Sequence, residues 1–121
     1  MKKIGIYPGT FDPMTNGHLN IIKRSLKIVD KLIIGIANNL NKKPLLSLSE
    51  RKKIILKDID SNNINFENIK IYPVQGLLTD FAKKHHANCI IRGLRAVSDF
   101  EYEFQMTGMN YQLNPSLETI F

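Results

Sequence analysis

Residues 4–18 read Ile4-Gly5-Ile6-Tyr7-Pro8-Gly9-Thr10-Phe11-Asp12-Pro13-Met14-Thr15-Asn16-Gly17-His18. A short apolar run with β-branched residues breaks into a Pro- and Gly-bearing turn, and beyond it Leu19, Ile22, Leu26 and Val29 fall at helical spacing. The stretch predicts a strand, a loop and a helix running from about Gly17 to Val29. The same alternation recurs downstream. Lys31-Leu32-Ile33-Ile34-Gly35-Ile36-Ala37 is nearly continuous apolar sequence, as a strand covered on both faces requires. Ser47-Leu48-Ser49-Glu50 matches a capping box and opens a second helix through Ile54, Ile55 and Ile59. Asn62, Asn63 and Asn65 mark a loop, and Ile69-Lys70-Ile71-Tyr72 is a third strand ending at Pro73. Leu77, Leu78, Phe81 and Ala82 give a short third helix, and Ala87-Asn88-Cys89-Ile90-Ile91 a fourth strand. Ser98-Asp99-Phe100-Glu101 is a second capping-box match, starting a helix to about Leu113, and Leu117–Phe121 begins a fifth strand.

This alternation defines the α/β class: a parallel sheet of five strands covered by helices, with right-handed crossovers. A chain of 121 residues has room for a single domain, 1–121, with one core. Hydrophobic residues at 43% and charged residues at 23% exclude wholesale disorder. No apolar run approaches the roughly 18–20 residues of a membrane span. The N-terminus is polar again by Asn16 without a small-residue cleavage site, and the lone Cys89 suits a reducing compartment, so the expected location is cytoplasmic. The 17 Lys and Arg against 11 Asp and Glu give +6. That excess fits an anionic partner, but a composition biased toward Asn, Ile and Lys is the better account of the bulk charge. The arginines are more telling. Only Arg24, Arg51, Arg92 and Arg95 occur, and two of them lie within four residues, a choice that suits two-pronged phosphate or carboxylate contacts.

In parallel sheets ligands bind outside the carboxyl ends of the strands, which directs attention to 8–18, 38–45, 73–78 and 92–99. Segment 8–18 is neither a Walker A loop nor a G-x-G-x-x-G turn. It still carries the parts of a phosphate site: glycines, the Thr10 hydroxyl and a helix N-terminus. His18 falls in the first helical turn, where the dipole opposes an imidazolium unless an anion lies beside it. Alone it would pass for a capping or exposed histidine; beside Thr10 and Gly17 it is a candidate functional group. His85-His86, at the end of the third helix, has no Cys or acidic cluster at ligand spacing and is read as structural, so no metal-ligand set is expected. Phe100, Phe104 and Tyr111 have helical spacing and suit core or subunit contacts. Asp99 and Glu103, one turn apart, read by themselves as solvated carboxylates.

Gly9-Thr10-Phe11-Asp12-Pro13 followed by Thr15-Asn16-Gly17-His18 resembles the signature of the nucleotidyltransferase superfamily in its T-x-G-H form. Lys42-Lys43-Pro44, Arg92-Gly93-Leu94-Arg95-Ala96 and Asp99-Phe100-Glu101-Tyr102-Glu103 narrow the resemblance to the bacterial phosphopantetheine adenylyltransferase family, nearly colinear from residue 1 to residue 121. The resemblance implies a Rossmann-like, dinucleotide-binding-like sheet with helices on both faces, assembled as a homo-hexamer. It implies transfer of AMP from ATP to 4′-phosphopantetheine, giving dephospho-coenzyme A and pyrophosphate with Mg²⁺ assisting, and neither nucleic acid nor membrane as partner. Thr10 and His18 would meet the α-phosphate, with Phe11, Gly93, Leu94, Arg95 and Glu103 also on the ATP side. Thr10, Lys42 and Arg92 would hold the phosphate of phosphopantetheine, and Leu78 would line its arm. The family continues into a serine-rich loop and helix that bind the ATP phosphates, so the domain is expected to be incomplete at its C-terminus.

The chemistry agrees with these residue types. Transfer between two anions asks mainly for positioning and charge neutralisation. An attacking phosphate is already anionic at pH 7, so neither a general base nor a protein nucleophile is needed, and direct in-line attack follows. Two other readings stay open on the residues alone. One is a relative using nicotinate mononucleotide or glycerol phosphate as acceptor, although such proteins usually carry a histidine where Thr15 stands. The other is a basic module that binds nucleic acid, which would weaken steeply with salt.

Overall fold

The computed structural model describes residues 2–38, 43–94 and 97–121, leaving aside the side chains of Val97 and Ser98. The expected site residues Lys42 and Arg95 lie outside the described residues. Strands β1 (Ile4–Gly9), β2 (Lys31–Ala37), β3 (Ile69–Val74), β4 (Cys89–Ile91) and β5 (Glu118–Ile120) alternate with helices α1 (Asn16–Ser25), α2 (Leu48–Ser61), α3 (Leu78–Lys84) and α4 (Val97–Leu113). The strands form one parallel sheet in the order β3-β2-β1-β4-β5. The expected α/β architecture, Rossmann-like with five parallel strands, is what the chain adopts.

Strand alternation sorts the apolar side chains into two cores. Tyr7, Leu32, Ile34, Ile36, Ile69, Ile71 and Cys89 pack on one face with Leu19 and Ile22 of α1 and Ile55 and Ile59 of α2. Ile6, Ile33 and Ile90 point the other way, onto Ala82, Leu78 and Phe81 of α3 and onto Leu117. Register keeps these rows aligned, with Ile6 opposite Ile33 on one side and Ile90 on the other.

Several boundaries differ from the sequence reading. Strand β1 runs through Pro8 and Gly9, which read as part of the turn, pairing them with Gly35 and Ile36, while β4 and β5 start only at Cys89 and Glu118. Helix α1 stops at Ser25, whose hydroxyl bonds back to the Ile21 carbonyl at 2.6 Å. The chain then turns through 26–29, so Val29 contributes to the core from a turn instead of a helix. Strand β3 does not end at Pro73 but runs on to Val74, pairing Pro73 with Ile36. As the edge strand it can place the missing N–H of proline away from the ladder. Helix α4 begins at Val97, one residue before the anticipated cap. Among the described residues, no helix is long and apolar enough to cross a membrane.

Candidate active site

The strand order reverses between β1 and β4, and the crevice at their carboxyl ends is where an open α/β sheet receives ligands. The loop leaving β1 is built around Phe11. Its backbone takes the left-handed region at φ 51° and its ring is 1% exposed, in edge contact with Tyr7 at 5.4 Å and with His18 at 4.9 Å. Sinking Phe11 leaves the Thr10 side chain exposed beside it. Asp12 then fastens the loop to the approach of α2: its carboxylate accepts from Leu45 N at 2.6 Å and Leu46 N at 2.8 Å.

Helix α1 starts with a capping box in which an imidazole stands where Glu or Gln is usual. The Thr15 hydroxyl accepts from His18 N at 3.3 Å, and Thr15 N donates to His18 Nδ1 at 2.9 Å. A backbone N–H can only donate, so Nδ1 is an acceptor and the ring proton resides on Nε2. The local fold therefore selects one tautomer of His18. The first turn of α1 holds no acidic residue, leaving its positive dipole end for an anion.

Arg92 follows β4 directly. Its Nε donates to Glu103 Oε2 at 2.9 Å and Oε1 at 3.0 Å, its Nη2 makes a short ion pair with Oε1, and its Nη1 reaches the Pro8 carbonyl at 3.1 Å. The side chain thus spans the crevice and ties the end of β1 to α4. Two of its five N–H groups remain beyond these bonds, one on each terminal nitrogen, which keeps a two-pronged contact within its capacity. Glu103 is no solvated carboxylate: it is 6% exposed, and both its oxygens are engaged by Arg92. Burial pushes the Tyr7 phenol up, and the nearby Arg92 charge opposes that shift. A cavity of about 90 Å³ opens beside the pair, lined by Leu78, Arg92, Tyr102, Glu103, Met106 and Asn110.

Thr10, Phe11 and His18 thus follow the end of β1, Arg92 follows β4 and joins that end to Glu103 through the Pro8 carbonyl, and Leu78 lies with Arg92 and Glu103 on the adjoining cavity. Gly93 and Leu94 are exposed just beyond Arg92. His85 stacks on Tyr72 at 4.9 Å and packs on Phe81 at 4.4 Å, a structural position; burial, then Lys84, Lys31 and His86, holds it below the usual histidine range. Among the described residues, no group of three or more His, Cys, Asp or Glu side chains could hold a metal ion.

Sequence reasoning missed Asp12 and Arg51. Arg51 is buried, and its Nη1 donates to the Thr10 carbonyl at 3.0 Å and the Ala37 carbonyl at 2.9 Å. A signal was present: Arg51, Ile55 and Ile59 recur every four residues along the buried stripe of α2, so a charge stands in phase with the core.

A dinucleotide-type sheet with a helix-capping histidine and a braced arginine at its switch point defines a nucleotidyltransferase, and the cytidylyltransferase-like family model matches residues 6–121. The chain is 54% identical, over all of its 121 residues and 73% of the other protein, to the phosphopantetheine adenylyltransferase of Coxiella burnetii. It is 53% identical to that of Caulobacter vibrioides, over 98% of this chain and 72% of the other. It belongs to the phosphopantetheine adenylyltransferase family. A bifunctional NMN adenylyltransferase/ADP ribose pyrophosphatase from Francisella tularensis shares the fold, with a TM-score of 0.72 at 21% identity over 99% of this chain and 38% of that one.

Proposed function

We propose that this chain transfers the adenylyl group of ATP to 4′-phosphopantetheine, giving dephospho-coenzyme A and pyrophosphate. An oxygen of the acceptor phosphate bonds to the α-phosphorus as the bond from that phosphorus to the α,β-bridging oxygen breaks. Pyrophosphate leaves in line and no covalent enzyme intermediate forms. The observation that carries this reading is His18 Nδ1 held by Thr15 N, which keeps a proton on Nε2 at a helix N-terminus. A donor fixed beforehand stabilises charge building on the α-phosphate without reorganising as the reaction proceeds.

Thr10 serves both substrates, and Phe11, Gly93, Leu94 and Arg95 belong to the ATP side. Arg92, with Lys42, takes the acceptor phosphate; its bracing by Glu103 and Pro8 supports that role, because an immobilised guanidinium loses little freedom on binding. Leu78 and the adjoining cavity suit the pantetheine arm. Glu103, placed on the ATP side by family resemblance, supports that side through Arg92. Mg²⁺ is proposed to arrive with ATP, carried by its phosphates. The described side chains do not form a set of ligands for it. Cytoplasmic location and a homo-hexamer complete the reading. Phe100, Phe104, Tyr111 and Leu113 of α4, each at least half exposed, support self-association through that helix.

Pyrophosphate release from ATP tests the reaction. It should require 4′-phosphopantetheine and should not be restored by nicotinate mononucleotide or glycerol phosphate. Release that ignores the acceptor, or prefers either alternative, overturns the assignment.

A further inference from the structure

Arg51 is a buried cation that adenylyl transfer as described does not use. It is 2% exposed, and besides Thr10 and Ala37 it bonds the Ser47 carbonyl from Nε at 3.4 Å. All three partners are main-chain carbonyls. The one ion pair among the described residues joins Arg92 to Glu103 instead. A buried charge without a carboxylate partner is costly, and carbonyl dipoles offset only part of that cost. Its position gives the charge a use. Thr10 and Ala37 stand where β1 and β2 end, next to the loop and helix N-terminus that face the phosphates in the proposed reaction.

We propose that Arg51 is the fixed positive charge beneath the phosphate site: a positioning residue that holds the Thr10 loop against the end of β2, and whose charge is balanced when anionic substrates bind. Only the identity of those anions rests on the adenylyl-transfer reading. Arg51 does not touch substrate. Its guanidinium lies behind the main chain and acts through its field, which the buried surroundings screen less than water would. A neutral side chain with similar donors could pin the same carbonyls, so charge and hydrogen bonding can be separated by substitution.

Arg51→Lys keeps the charge and gives up the planar fork, while Arg51→Gln keeps N–H donors and gives up the charge. Titration calorimetry with ATP and with inorganic pyrophosphate should show Arg51→Gln losing at least about tenfold in affinity for both, and Arg51→Lys staying within roughly threefold of wild type. Circular dichroism checks that each variant is folded. A purely structural pin would weaken both variants alike. Equal losses, or wild-type binding by folded Arg51→Gln, overturn the proposal. Should Arg51→Gln not fold, Arg51→Lys decides: binding near wild type supports the fixed charge, and a tenfold loss overturns it. Wild-type protein that binds pyrophosphate without transferring to 4′-phosphopantetheine refutes the reaction and leaves Arg51 standing. Wild-type protein that binds neither anion refutes both.

Discussion

His18 shows how one residue can be legible in sequence for one reason and essential in structure for another. The T-x-G-H tetrapeptide exposes it, but the tautomer comes from Thr15 N, a bond that no motif records. His18→Ala should leave the fold and acceptor binding nearly unchanged while kcat falls on the order of 10²–10³, the usual loss for one donor aimed at transition-state charge. Steady-state kinetics beside calorimetry checks this split, and near-normal kcat removes His18 from the chemistry. Arg92 was legible as an arginine chosen against a lysine-rich background; its brace was not, because Glu103 read as a surface carboxylate. Arg92→Lys should therefore fail to restore what Arg92→Ala loses, since a point charge cannot bond Glu103, Pro8 and a phosphate in one plane. Acceptor affinity should drop more than ATP affinity, and calorimetric equality of Arg92→Lys with wild type rules this out. Asp12 and Arg51 escaped the sequence reading because their partners lie 33 and 41 residues away. Tertiary contacts show what they bind, although the helical phase of Arg51 already marks it as buried.

At the scale of elements, period and capping located every strand and α-helix, with shifted ends, while the short 3-10 helix Phe66–Asn68 went unread. Pro73 looked like a terminator because sequence does not say which strand will be an edge. The α2 cap was readable and can be tested. Ser47 Oγ accepts from Glu50 N at 3.1 Å, and Glu50 Oε1 accepts from Ser47 N at 3.1 Å. Ser47→Ala should cost about 1 kcal/mol, read as a lowered midpoint in urea. The bond from Ser47 N to the carboxylate first, and the Ser47 hydroxyl second, hold the Glu50 carboxyl below its ordinary value of 4.5. A carboxyl depressed in the folded state stabilises above its unfolded value and loses that contribution as pH falls through the folded one. The gap in Tm between wild type and Glu50→Gln should therefore narrow as pH drops below 4.5. A gap constant down to pH 3 refutes the reciprocal bond.

For the molecule as a whole, the alternation of strand and helix patterns announced an α/β fold and left its surface undecided. The aromatic spacing of α4 suited either core or subunit contact, and exposure excludes the first: Phe104 is 69% and Phe100 50% exposed, with their rings stacked at 6.0 Å. Helix α4 also carries Glu103, so an assembly formed through its outer face would press on the brace of Arg92. Phe104→Glu should shift the protein to smaller species in light scattering after size exclusion, with little change in the circular dichroism of dilute protein. Unchanged mass shows that the interface lies elsewhere.

The bond from Arg92 to the Pro8 carbonyl joins residues 84 apart in sequence. As the chain emerges or refolds, the capped histidine can form early from neighbouring residues, whereas the Thr10 loop needs Leu45 and Arg51, and β1 keeps one edge unpaired until β4 arrives. Local structure near the N-terminus is thus necessary for function but never sufficient. The pairing of β1 with β4 delivers the arginine, so the grip on an acceptor depends on contacts that span most of the chain.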